Sequence, residues 1–143
     1  MIKDRILESN LPSEIKEECL LIFDLLEVSA EKPQLTKVAL LLATMTLEKT
    51  LRIVLYNEYK TITKIKFSVL IDKSQQLEYI SKETADQLRE LKNNRNAHAH
   101  HALIVLDSEK ELMPIPSIME CIYIIFEKYY IKFPPAEETI ITE

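Results

Sequence analysis

The 143-residue chain contains no glycine. Average usage of about 7% would supply about ten, and their absence removes the positive-φ turns and close backbone approaches that a residue without Cβ allows. Walker loops, dinucleotide fingerprints and glycine-rich kinase loops cradle phosphate with such residues, so nucleotide cradles of these kinds are excluded. Tight two-residue hairpins also lean on glycine, whereas helices lose little beyond their αL caps. The fold class expected is therefore all-α.

Apolar residues make up 47% of the chain and charged residues 29%, which are ordinary globular values, and the length suits one self-supporting domain. The two cysteines sit in apolar helical contexts, ECLLIF around Cys19 and ECIYIIF around Cys121, and are expected to be reduced core residues. No signal-like stretch opens the sequence and no run approaches the eighteen or so apolar residues of a membrane span, so a soluble cytoplasmic protein with no membrane association is expected. The net charge of -5 argues against coating duplex nucleic acid by general electrostatics. Charge is nonetheless uneven: Lys60 to Arg95 holds 8 basic and 5 acidic residues.

Hydrophobic periodicity gives four main helices. The first follows Pro12, with Ile15, Cys19, Ile22, Phe23 and Leu26 on one face, and ends before Pro33. The second runs from about Thr36 to Tyr59 on a stripe of Val38, Leu42 and Met45 continuing to Leu55, and carries Glu48 and Arg52 four apart, the spacing of an ordinary helix ion pair worth a few tenths of a kcal/mol. A weaker pattern covers about Thr63 to Tyr79. Ser81 then caps a helix with Ala85, Leu88 and Leu91 on one face, running into Asn93. Residues Leu103 to Ile115 have no decisive period. The last main helix is expected to open at Ser117 with Glu120 completing a capping box, to present Ile118, Ile122, Ile125 and Tyr129, and to stop by Phe133 before two prolines. The expectation is an antiparallel bundle of four main helices with short additional pieces over residues 1–135, followed by a loose tail over 136–143.

All three histidines, His98, His100 and His101, fall directly after Arg95 in NNRNAHAHH. A solvated helix end explains them as a surface cluster on a helical interaction domain. Metal ligation is not expected, because no nearby cysteine or carboxylate completes an established spacing. On an unbroken helix Arg95 and His100 stand about 140° apart, whereas His98 shares the face of Arg95. A break or tightened turn among Asn93, Asn94 and Asn96 would bring His100 round, and His101 is the next alternative.

LRELKNNRNAHAHH resembles the signature of the HEPN superfamily, short helical domains marked by arginine, four to six residues, and histidine. Arg95, four residues and His100 fit that pattern, with the polar Asn96 in the usual place, and LEKTLR, KFSVLID and YISKETADQLREL resemble the family's context over about residues 35 to 105. The resemblance implies a HEPN-like fold and metal-independent RNA cleavage at a homodimer interface, with no cofactor. Arg95 would stabilise the charge developing on phosphate, His100 would move the proton and Asn96 would orient one of them. His98, His101, Glu48 and Arg52 would support the site, the last two as a counterpart of a family Glu, three residues, Lys-Arg element, although Arg52 stands at its lysine and Ile53 follows. The resemblance further implies a toxin or defence effector with an antitoxin or regulatory protein as partner. Ala102 stands where members paired with a nucleotidyltransferase carry tyrosine. The alternative is a non-catalytic HEPN-like module mediating dimerisation or binding a partner or nucleotide.

Overall fold

Six helices form along the chain: α1 (Ile2–Leu7), α2 (Ser13–Val28), α3 (Leu35–Leu55), α4 (Phe67–Gln76), α5 (Lys82–His101) and α6 (Ile115–Lys132). The computed structural model describes residues 2–56, 65–101 and 113–134, with the backbone alone for 94–101, and no strand occurs among the described residues. The all-α expectation holds. No helix among the described residues is long and apolar enough to cross a membrane.

Helix α3 is the hub, packing against α2, α4, α5 and α6, while the short α1 bridges α2 and α6. Three helices bury the faces their periodicity predicts. Ile15, Cys19 and Ile22 are fully buried on α2; Ala85, Leu88 and Leu91 are buried on α5; Ile118, Ile122 and Ile125 are buried on α6. Ser81 caps α5 as expected, its Oγ accepting from the backbone N–H of Thr84 at 3.1 Å.

The core face of α3 differs from its expected stripe. Val38 and Met45 are half exposed and Leu42 partly buried, while Leu55 at the end of the stripe is fully buried; the other fully buried apolar positions are Ala39, Ala43, Leu47, Leu51 and Val54. The helix carries apolar residues on more than one face, and the small Ala39 and Ala43 let neighbouring backbones approach closely enough to make theirs the packed side.

Helix α6 opens earlier than its capping-box pattern suggests. Its N-cap is Pro114, with Pro116 in the first turn, and Ser117 lies inside the helix with its N–H donating to the Pro114 carbonyl at 2.9 Å. Proline's fixed φ suits a first turn where no N–H partner is needed. Glu120 is thereby free to accept from Arg5 Nη2 at 3.2 Å. Helix α1, too short to show a period, packs Ile6 fully buried.

Without glycine, the one left-handed turn among the described residues falls on Glu78, at φ 66° after α4. The Tyr79 N–H donates to the Ser74 carbonyl and the Glu78 N–H to the Gln75 carbonyl, both at 2.9 Å, closing the helix in a Schellman arrangement. Lys128 Nζ on α6 holds the Glu78 carbonyl from outside at 3.3 Å. Helix α3 ends at Leu55 with Tyr56 as its C-cap, short of the expected Tyr59, and α4 starts at Phe67 after an extended Lys66 and ends at Gln76, a shorter helix than the expected Thr63 to Tyr79. Residues 57–64, the 103–112 stretch and the 136–143 tail fall outside the described residues.

Candidate functional site

The predicted residues lie on two helices. Arg95, Asn96, His98, His100 and His101 occupy the last two turns of α5, whose backbone stays helical through His101. No break forms among the three asparagines. Each costs only a few tenths of a kcal/mol in a helix, and the packed Leu88 and Leu91 turns ahead of them keep the backbone in register. By that register Arg95 and His98 share a face with Leu91, His98 and His101 share a second, and His100 stands about 140° from Arg95 but one turn beyond Asn96. The side chains of these five residues fall outside the described residues.

Upstream of this segment α5 is tied to α4. Arg89 Nη2 donates to Asp72 Oδ1 at 2.7 Å and Nη1 to Asp86 Oδ1 at 2.9 Å, a fork that spans both helices. The Asp72 carboxylate raises the guanidinium's pKa above its ordinary value, with Asp86 adding to the effect.

Glu48 and Arg52 form the expected ion pair along α3, Arg52 Nη2 to Glu48 Oε2 at 2.5 Å. Arg52 also donates through Nη1 to the Ile65 carbonyl at 2.8 Å, a contact thirteen residues away that no local pattern signals. The pair is mostly screened from solvent, with side chains 26% and 17% exposed, so it is more than a solvated surface bridge. Chemically it fixes the entry to α4.

Both cysteines are unreactive by position. Burial pushes the Cys19 thiol up to about 12, helped by the neighbouring Glu18 charge, and burial pushes Cys121 to about 12 against a small opposing effect of Lys128. Neither is a nucleophile near neutral pH. No three His, Cys, Asp or Glu side chains converge into a metal set among the described residues.

Two clefts open on α6. One, of about 310 Å³, lies against the α1–α2 turn and is lined by Leu11, Tyr123, Phe126, Tyr130 and Ile131. The other, of about 300 Å³, lies between the start of α5 and α6, with Thr84, Ser117, Glu120 and Lys128 among its walls. Sequence periodicity gives no sign of either, because each joins residues from elements far apart along the chain. Comparison with family models, with curated proteins and with solved structures returns no match.

Proposed function

We propose that the chain is a metal-independent endoribonuclease of the HEPN type, a toxin or defence effector, acting as a homodimer with the Arg95 to His101 segment at the contact between copies. The observation that carries the reading is the sequence itself, Arg95, Asn96 and His100 in RNAHAH, set on a helix of an all-α chain. In this reading α2, α3, α5 and α6 are the four main helices of an antiparallel HEPN-like bundle, with α1 and α4 as its short pieces.

The chemistry follows from the residue types. The RNA 2′-hydroxyl loses its proton to a histidine and attacks the adjacent phosphorus, the bond to the 5′ oxygen breaks, and a second acid protonates that leaving oxygen. The products are a 2′,3′-cyclic phosphate and a free 5′-hydroxyl. Imidazole titrates near neutrality and serves either step, while the planar guanidinium of Arg95 matches the phosphate oxygens as charge builds on them. Asn96, one turn before His100, orients it. With Arg95 and His100 on different faces of a continuous helix, one copy offers an incomplete set, and two copies supply both the base and the acid. The steps need neither cofactor nor metal.

The net charge of -5 favours a second reading, a non-catalytic HEPN-like module that binds a partner or nucleotide through the same surface. Incubating the purified chain with mixed RNA in EDTA separates the two. Cleavage with cyclic phosphate ends supports the ribonuclease, and failure to cut any RNA overturns it in favour of the binding module.

A further inference from the structure

The α2–α3 hairpin carries an apolar face that no other described residue covers. Leu21 and Val28 on α2 are 50% and 48% exposed, and Val38, Leu41 and Met45 on α3 are 49%, 40% and 50% exposed. The two sets adjoin. Glu18 Oε1 accepts from Thr46 Oγ1 at 2.9 Å and Glu14 Oε2 from Lys49 Nζ at 3.0 Å, so α2 runs antiparallel beside α3 with Leu21 level with the Leu42 to Met45 turn. The partly buried Leu25 and Leu42 fill the floor between them. Together the five exposed side chains present roughly 400 Å² of apolar surface, the size at which a monomer's largest patch is commonly functional.

Charge identifies the occupant. Helix α2 carries five acidic residues and one basic, α3 three basic residues and one acidic; with Lys49 held by Glu14 and Glu18 and Arg52 by Glu48, the charges left to meet a partner are Glu17, Asp24 and Glu27 on α2 and Lys37 on α3. A face that is acidic along one helix and basic along the other complements itself. Stacking the hairpin on a copy about a two-fold axis parallel to the helices sets α2 of each copy opposite α3 of the other, so unlike charges meet. The perpendicular in-plane axis sets α2 on α2 and opposes like charges. The exposed apolar patch is about half of the 800 Å² per partner of a standard interface, and the partly buried leucines and charged flanks supply the remainder.

We infer that this face is a self-association surface, occupied by the same face of a second copy with α2 against α3. The inference is independent of the RNA-cleavage reading, since it uses no residue of the Arg95 to His101 segment. The test is the mass of the full-length chain in solution, by light scattering or sedimentation at tens of micromolar, for the wild type, Met45→Glu, Met45→Lys and Arg95→Ala. The wild type is expected to be at least dimeric. Met45→Glu, placing an acid opposite the acidic α2 of the copy, should weaken association at least tenfold and halve the mass, while Met45→Lys should weaken it less. Arg95→Ala should keep this contact whether or not RNA cleavage is lost. Circular dichroism checks that each variant is folded, as the half-exposed position of Met45 predicts for both of its variants. A monomeric wild type, a folded Met45→Glu of unchanged mass, or equal loss in both Met45 variants overturns the inference.

Discussion

Arg52 on α3 donates through Nη1 to the carbonyl of Ile65, 2.8 Å away, just ahead of α4. The same guanidinium holds Glu48, so one side chain both closes an ion pair along α3 and ties the incoming backbone to it. Truncation leaves a part-buried carbonyl and a mostly buried carboxylate without this donor. Arg52→Ala should therefore cost about 1 to 3 kcal/mol in chemical denaturation. Arg52→Lys should recover only part, because an ammonium cannot reproduce the planar fork. Equal stability of all three proteins would contradict this role.

Glu78 takes a left-handed conformation that glycine adopts without steric cost. Glu78→Gly should raise stability by about 1 kcal/mol, since the native backbone sheds its Cβ strain while the Schellman hydrogen bonds remain. The midpoint of a urea titration reads this directly. A lowered midpoint would mean that the Glu78 side chain contributes more than its backbone strain costs.

The thiols should make the fold sensitive to alkali. In the unfolded chain they ionise near about 8.5, whereas Cys19 and Cys121 in the folded protein stay protonated up to about 12. Their contribution to stability is complete below the ordinary thiol pKa. Between the two values the unfolded state has shed protons that the native state keeps, so stability falls as pH rises, by up to about 1.4 kcal/mol per pH unit for each thiol. Alkylation near neutral pH should leave both cysteines unmodified until denaturant is added. Rapid labelling of the native protein would place a thiol outside the core.

Much of the fold was legible because periodicity and burial agree wherever a helix is apolar on one side only. Ala85, Leu88 and Leu91 behind the Ser81 cap are of that kind, and on α6 Ile118, Ile122 and Ile125 are buried as expected although Ile124 and Ile131 stand exposed on the same helix. Helix α3 is not, and its sequence could not say whether Ala43 or Met45 faces inward; packing decided for the smaller residue. Ser117 and Glu120 mimic a helix start, but Pro114 and Pro116 begin the helix earlier. At the candidate site the Glu48–Arg52 pair follows from its four-residue spacing, while the Ile65 contact depends on how the chain returns after α3. The histidine cluster was legible as composition, and its helical backbone was not, because three asparagines weaken a helix without ending one that is anchored by Leu88 and Leu91.

In the proposed ribonuclease, Arg95 and His100 act as separate parts of one site. The most direct measurement is the cleavage rate of a defined RNA in EDTA for the wild type, Arg95→Ala, His100→Ala and His98→Ala, with circular dichroism and mass recorded for each. The predicted result is a loss of about a hundredfold or more for Arg95→Ala and for His100→Ala with fold and assembly intact, and a smaller loss for His98→Ala. A wild type that cleaves while His98 proves essential and His100 dispensable would contradict the assignment.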